Sequence, residues 1–413
     1  MSAPAAARRT LALLALLLAA SAPGDARAAD ALGWLARTPR LLGDPGGLRS
    51  RGERLGLSLQ LHAQEFWAWK PRGGVDRRGV TGHSGSYDLL ARVDLEELIG
   101  RRDLVAFLQV KGQYDRHPNE TVGAFADPND DADFDEGIYV DQLWLEQGWL
   151  AGRVRLRLGL LELQTAFDRN AYANREDVQF MNSALDNDAL VPLPNALGAV
   201  LVLRPWPSLE LAVGVGDADN VSRHAGFDTA FDDGDSLSAW VEATLAVRLG
   251  PGGRLPGRYR VGFFRDGRRL AVHGRFDAGG APDTDRGRPG FYLSFDQALW
   301  RPDEAGERGL GVFARLARAD PDTSPSEWFW SAGLEWAGPV PSRARDAVGA
   351  AVYQLVASHP GAFHRETGVE LYWRIEPLPW LAVTPDLQYI VEPGATPTAG
   401  DAVLFQLRIR VSF

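Results

Sequence analysis

The chain contains no cysteine. That excludes a disulfide-stapled fold, a cysteine nucleophile and a thiolate metal centre. Lysine is almost missing too: Lys70 and Lys111 are the only two, so arginine supplies the rest of the positive charge. The formal charge is −10 over 413 residues, and the basic footprint of a nucleic-acid binder is therefore absent. Beyond residue 30 no stretch approaches the ~18 uninterrupted apolar residues that a membrane-spanning helix requires, which excludes helical channels and transporters. The seven histidines are scattered, and His359 with His364 lacks the helical spacing of a metal pair. No Gly-x-Ser-x-Gly elbow or phosphate loop stands in a strand–turn–helix context, so neither a reaction nor a cofactor is implied. What is present is ordinary for a folded chain: 45% hydrophobic and 24% charged residues exclude a disordered or collagen-like protein.

The first residues read as an address. Arg8 and Arg9 precede an apolar run from Leu11 to Ala20, and Ala26-Arg27-Ala28 offers small residues flanking a cleavage point. Ten apolar residues are too few to span a bilayer, so residues 1–28 are expected to be a secretory signal peptide. Their removal takes away three arginines and one aspartate and moves the charge from −10 to −12. Residues 29–50 then read as an N-terminal periplasmic segment, helix-compatible over Ala31 to Leu42 and turning at Gly43-Asp44-Pro45-Gly46-Gly47.

From Leu55 onward apolar residues recur at every second position, the period of a strand with two unlike faces. Leu57, Leu59 and Leu61 alternate with Ser58, Gln60 and His62, and Val369, Leu371 and Trp373 alternate with Glu370, Tyr372 and Arg374. Sixteen such segments start near Leu55, Ser86, Leu104, Ile138, Arg153, Ala196, Leu209, Ser238, Arg258, Phe291, Leu310, Phe329, Ala347, Thr367, Leu381 and Ala402. Most are about ten residues long, enough for a tilted strand to cross a bilayer. Some connections are tight, as at Pro377-Leu378-Pro379-Trp380, while His117 to Gly137 and Gly216 to Ser236 are long and polar. Charges recur on the polar face of strand after strand, which a soluble sandwich does not accommodate without a large apolar core opposite. Inverting the faces resolves this: apolar residues meet lipid, charged residues line water, and closure removes the edges. The expected fold is an all-β transmembrane antiparallel barrel of sixteen strands over residues 51–413, with a short N-terminal helical segment. Trp67, Trp69, Trp149, Trp206, Trp300 and Trp380 fall where interfacial girdles belong, and Phe413 ends the last strand.

Leu41-Leu42-Gly43-Asp44-Pro45-Gly46-Gly47-Leu48-Arg49 resembles the opening motif of the carbohydrate-selective porin family, with Pro45 where that family usually has tryptophan. Further similar segments are Gln142-Leu143-Trp144-Leu145-Glu146-Gln147, Arg157-Leu158-Gly159, Phe180-Met181-Asn182-Ser183 and Tyr292-Leu293-Ser294-Phe295-Asp296-Gln297. At the end stand Thr384-Pro385-Asp386-Leu387-Gln388-Tyr389-Ile390, Glu392-Pro393-Gly394 and Arg408-Ile409-Arg410. Proline within a strand costs a ladder bond, which makes Pro385 a specific mark. The resemblance covers residues 40–413. It implies a sixteen-stranded outer-membrane pore, monomeric or trimeric, that passes mono- and small oligosaccharides. It also places the stretch Leu161 to Asn195, with Asp168 and Arg169, as a loop folded into the lumen.

A pore that prefers sugars needs groups for paired hydrogen bonds and aromatic surface, bound weakly enough for release. By alternation the water-facing candidates are Trp144, Glu146, Arg155, Arg157, Glu370, Arg374, Asp386, Gln388, Arg408 and Arg410, joined by Asp168 and Arg169 from the loop. Arg155 with Arg157 ranks first, because two guanidinium forks share one face. Asp127, Asn129, Asp131, Asp133 and Asp135 lack the central glycine and closing glutamate of a calcium loop and read as a solvated acidic surface loop, as do Asp228, Asp232, Asp233 and Asp235. No metal is assigned. The expected partners are sugars as solutes, outer-membrane lipid and lipopolysaccharide, and the barrel-assembly machinery acting on the strand that ends in Phe413. Three rivals remain: a general or anion-leaning porin, a barrel enzyme with a Ser/His pair that cannot be placed, and a secreted β-sandwich that binds sugar.

Overall fold

The structure, a computed structural model, describes residues 38–115, 118–131, 137–218, 236–302, 308–358 and 364–413. The expected signal peptide, 1–28, lies outside them, as do Asp133, Asp135, Asp228, Asp232, Asp233, Asp235 and His359. The described chain forms sixteen strands. They are β1 (Leu57–Gly74), β2 (Val80–Asp94), β3 (Leu104–Asp115), β4 (Gly137–Trp149), β5 (Val154–Glu162) and β6 (Asn195–Trp206). Next come β7 (Leu209–Asp217), β8 (Leu237–Leu249), β9 (Leu255–Phe276), β10 (Pro282–Trp300) and β11 (Gly309–Ala319). The last are β12 (Ser326–Ala337), β13 (Ala347–Ala357), β14 (Arg365–Leu378), β15 (Leu381–Val391) and β16 (Gly400–Ser412). Each pairs antiparallel with its sequence neighbours, and β1 pairs with β16 to close the barrel. The alternation located the strand starts well: β3, β7, β13 and β15 begin at the expected residues. β10 begins earlier, at Pro282 instead of Phe291, because β9 and β10 run on together as a hairpin beyond the lipid-facing band.

A short helix near the N-terminus is present as expected; of the helix-compatible stretch Ala31 to Leu42, residues 31–37 lie outside the described residues. Thr38 to Leu42 forms bends and turns, and α1 is Leu48–Arg54, across the expected boundary between residues 50 and 51. Gly46 and Gly47 both have positive φ, 61° and 69°, which only glycine adopts at no steric cost, and they deliver the chain into α1. Arg49 of α1 donates to the carbonyls of Gly43, Leu59 and Phe413 at 3.1, 2.8 and 3.2 Å. The Leu41 N–H donates to Ser412 O at 2.8 Å and the Phe413 N–H to Leu61 O at 2.9 Å. The segment before α1 and the C-terminal Phe413 are thus pinned at the β1–β16 seam. Phe413 itself is buried there, past the end of β16, and not spread on the lipid face.

The connections at that end, such as 150–153, 207–208 and 379–380, are short. Those at the other end include 116–136, 163–194 and 218–236. Short turns mark the periplasmic rim of an outer-membrane barrel and long loops the extracellular one.

The faces are inverted as expected. Val213, Val241, Val261, Phe263, Leu293, Leu334, Val369 and Leu371 are exposed on the outside, where lipid takes the place of water. Their strand neighbours Glu242, Arg260, Ser294, Glu335 and Glu370 are buried inside. Trp149, Trp206, Trp300 and Trp336 are exposed near the turn rim, and Trp67 and Trp69 near the loop rim.

The lumen is not uniformly wet. A cluster of Phe167, Phe180, Leu185, Trp240, Phe264, Tyr292, Phe313, Phe329, Tyr353 and Tyr372 fills the side bounded by β8 to β14. Loop 163–194, which contains the short helix Ser183–Asp186, supplies the first three and seals this core from the remaining channel. Tyrosines lie flat on glycines directly opposite in the ladder, Tyr292 on Gly262, Tyr372 on Gly349 and Tyr353 on Gly368. A Cβ at any of these glycines would fall 2.1 Å from the ring, so the missing side chain makes the seat.

Candidate functional site

Two loops narrow the barrel, not one. Loop 163–194 folds inward as expected, and the connection 116–136, which carries the short helix Asn119–Val122, enters beside it. The described part of that second loop was expected to be a solvated acidic surface, but Asn129 and Asp131 are 1% exposed. The wall draws it in: Gln388 and Gln406 donate to Pro128 O at 2.8 Å each, and Ser86 donates to Asp131 Oδ2 at 2.8 Å. A sequence of alternating aspartates shows charge, but not the amide donors waiting on β15 and β16.

Wall carboxylates hold both loops by accepting their backbone N–H groups. Glu370 accepts from Met181 N and Asn182 N at 2.6 and 3.0 Å. Glu366 accepts from Phe125 N, Ala126 N and Gly394 N at 2.6, 3.1 and 2.7 Å, and from the Tyr353 hydroxyl at 2.9 Å. Glu242 accepts from Asp168 N and the Tyr292 hydroxyl, both at 2.8 Å. Charge-assisted bonds of this kind are about twice as strong as neutral ones. Opposite them, the fully buried Arg315 donates to Asp168 Oδ2 at 2.8 Å and to the carbonyls of Leu185, Asp186 and Ala173 at 3.3, 3.0 and 2.5 Å. Glu242, Glu335, Glu366 and Arg315 were not singled out from the sequence. For the three glutamates the available signal was a charge on the inward face beside a tyrosine–glycine pair; Arg315 stands between Ser294 and Ser331 and carried no such signal.

The expected site residues divide into three groups. Glu370, Asp386, Gln388, Arg408 and Asp168 are buried in the loop clamp: Arg408 donates to the carbonyls of Glu176 and Gln179 at 2.5 and 2.9 Å. Arg374 donates to Val178 O at 3.0 Å and so belongs with them. Trp144, Glu146, Arg155 and Arg157, on the wall of β4 and β5, join Arg169 of loop 163–194 and Glu210 of β7 in an ionic ladder near the turn rim. Arg157 pairs with Glu146 at 2.9 Å and lies 4.1 Å over the Trp144 ring; Arg169 and Arg204 both pair with Glu210. The space between Arg155 and Arg157 is about 40 Å³, close to one water's share of the liquid, ~30 Å³. The pair ranked first from sequence therefore lines a wall and does not enclose a sugar-sized hollow. Arg410 faces a large cavity, whose lining also includes Arg169, and is joined to Asp177 at 3.0 Å and to His62 Nδ1 at 2.9 Å.

That cavity measures about 510 Å³ and opens toward the turn rim. Gln60, Gln64 and Gln109 reach it from the wall, and Gln164, Asn170 and Asn174 from loop 163–194. A second cavity of about 230 Å³ lies toward the loop rim, bounded by Lys111, Asp130, Tyr139, Asp141 and Asn195. The two share Glu162, Gln164 and Glu176, which places the neck of the path between them. Burial and the nearby Glu176 push the Asp130 and Asp186 carboxyls well above the usual carboxylate range. Enclosure by the loop would raise Asp177 too, but Arg175, Arg410 and Arg408 outweigh it and hold that carboxyl low.

The comparisons fit this arrangement. Residues 81–413 match the family described as carbohydrate-selective porin, OprB family. Porin B of Pseudomonas aeruginosa is 23% identical, over 98% of this chain and 98% of its own. The candidate porin QuiX of Acinetobacter baylyi is also 23% identical, over 92% of this chain and 94% of its own. The high-pH structure of Pseudomonas putida OprB superposes with a TM-score of 0.81 at 20% identity, covering 92% of this chain and 99% of that one. With the closed barrel, the lipid-facing band and the narrowed lumen on the same chain, the protein belongs to the OprB family of carbohydrate-selective porins and is a channel of the outer membrane.

Proposed function

We propose that the sugar path of this porin runs through the two cavities, and that the larger one is where a mono- or small oligosaccharide pauses. One observation carries this reading: six amide side chains, Gln60, Gln64, Gln109, Gln164, Asn170 and Asn174, converge on a single 510 Å³ space. An amide donates and accepts, as a sugar hydroxyl does, so a ring of amides suits a neutral polyol better than an ion. Contacts of this kind are individually weak, which allows release. His62, Arg410 and Asp177 add a fixed polar edge, and the Arg155–Arg157 ladder keeps the exit wall wet.

An anion-leaning porin is the less favoured alternative, because Asp130, Asp141, Glu162, Glu176 and Asp186 surround Lys111 at the neck. The proposal also takes lipid and lipopolysaccharide as the surroundings of the apolar belt, and the assembly machinery as reading the terminal strand. Residues 1–28 are proposed as its export signal.

The test is open-channel current in planar bilayers, with glucose and small oligosaccharides added. Concentration-dependent block is expected, weakened in Asn174→Ala and Gln109→Ala. Current that sugars leave untouched, beyond their effect on bulk conductivity, would demote the chain to a general pore.

A further inference from the structure

We infer that the neck between the two cavities is a divalent-cation site, at which Asp130, Glu176 and Asp186 hold a hard, oxygen-preferring ion such as Ca²⁺ and tie the two inner loops together. The inference rests on the sugar path proposed above, because it places the ion on that path. One carboxylate oxygen from each residue lies within 4.8 Å of the other two. With Ca–O bonds of about 2.3–2.6 Å, one ion reaches all three. Asp130 belongs to the connection 116–136, and Glu176 and Asp186 to 163–194. Asp130 lines the outer cavity, Asp186 the inner one and Glu176 both, so the cluster stands at their junction.

A second observation separates this cluster from an ordinary acidic surface. Asp186 is 1% exposed; its Oδ2 accepts from Asn187 Nδ2 at 2.7 Å, but its Oδ1 has no hydrogen-bond partner among the described residues. A buried carboxylate oxygen beside two further carboxylates is costly unless a positive group meets it. The cations beside the cluster are Lys111 and Arg315; Lys111 is already engaged, its Nζ lying 3.1 Å from Glu176 Oε1 and 3.2 Å from Asp131 Oδ1. Neither Asp130 nor Asp186 forms an ion pair among the described residues. Arg315 reaches Asp186 through its carbonyl and not its carboxylate. Three carboxylates from two loops, with one lysine shared between Glu176 and Asp131, leave charge for a dication. All three ligands are oxygens, which suits calcium over zinc or copper. An ion there cancels part of the neck's negative charge and fixes the spacing of the two loops.

The experiment uses the mature protein, with Ca²⁺ as the probe. Calorimetric titration reads binding directly, and bilayer recordings in a KCl gradient read the cation-over-anion permeability ratio with Ca²⁺ or EGTA. Saturable binding is expected, with a permeability ratio that falls as Ca²⁺ rises and recovers in EGTA over the same range. Asp130→Asn and Asp186→Asn should each weaken binding by about ten-fold or more, since ligand charge sets calcium affinity. Asp283→Asn, on the exposed β9–β10 hairpin, should match the wild type. No saturable binding to the wild-type protein overturns the site, whatever the variants do. An equal Ca²⁺ effect in wild type and both folded neck variants overturns it too, since that is screening at the mouths. Sugar block is recorded in EGTA in the same membranes: block retained without a Ca²⁺ response sinks the cation site alone, whereas absent block sinks the sugar path beneath it.

Discussion

Replacing Arg315 by methionine should open the pore. Arg315 and Asp168 are both fully buried, and the guanidinium also satisfies the carbonyls of Leu185, Asp186 and Ala173. Methionine fills much of the same volume but leaves the Asp168 carboxylate without its cation. Removing one partner of a buried pair costs about 3–5 kcal/mol. Water reaching the site from the lumen relieves part of this, so about 3 kcal/mol is the expected cost of keeping the loop docked. At 1.4 kcal/mol per factor of ten, that moves the docking equilibrium by roughly a hundred-fold. The barrel ladder is separate from this clamp, so the protein should still migrate as a folded, heat-modifiable band. Single-channel conductance should rise, and liposome swelling should discriminate less between glucose and a disaccharide. The double variant Arg315→Met/Asp168→Asn should recover part of the loss, because no bare charge is then left behind. A folded Arg315→Met protein with wild-type conductance and undiminished sugar discrimination would refute the view that this ion pair holds the constriction.

Two further outcomes test the lipid face and a periplasmic turn. Val241 sits on the outside of β8 among Val213 and Phe263, so Val241→Arg should destabilise the folded barrel in bilayers by about 2–4 kcal/mol, read by denaturant unfolding; an unchanged midpoint would mean that this face is not in lipid. Asp346, in the β12–β13 turn, accepts from Arg343 at 2.6 and 3.0 Å and from Glu376 N at 3.0 Å. Burial opposes its charge, but these bonds win and hold its carboxyl below the usual range. Its contribution is therefore present above the unfolded value of about 3.9 and is lost as pH falls through the lower folded one. Asp346→Asn should cost about 1 kcal/mol at pH 7 and nothing in strong acid; an equal cost at both ends would show that charge is not what Asp346 contributes.

The barrel was legible because its signal is local. In a β-barrel every strand repeats the same two-residue rule, and lipid outside with polar groups inside writes that rule onto each segment separately. Val369-Glu370-Leu371-Tyr372-Trp373 shows it without help from any other part of the chain. The places where strand length was misjudged, β9 and β10, are those where the pairing continues past the lipid and no longer needs an apolar face. The exact bounds of the N-terminal helix were not legible for a similar reason. What fixes α1 is Arg49 reaching three carbonyls, one of them on the last residue of the chain, and no short-range pattern encodes that contact.

The site was legible only as a list of faces. Alternation correctly turned Glu370, Asp386, Gln388, Arg408 and Arg410 inward, but facing the lumen and facing a solute are different properties here. A charged side chain that points into a barrel finds water if the lumen is empty and a loop if it is full. Loop 163–194 decides which. Its apolar residues, Phe167, Phe180 and Leu185, bury themselves on the aromatic wall of β8 to β14, and its backbone amides must then find acceptors away from water. Glu370 and Glu242 are those acceptors, so they serve the constriction, and the uncharged amides across the lumen are left to face the path proposed for sugar. The same reasoning explains the misjudged aspartates at 127–131. Polar residues in a long loop are solvated only if the wall offers them nothing better, and Gln64, Ser86, Lys111, Gln388 and Gln406 together do. On the proposed path, selectivity would be set less by which charges line the barrel than by which of them the two inner loops leave free.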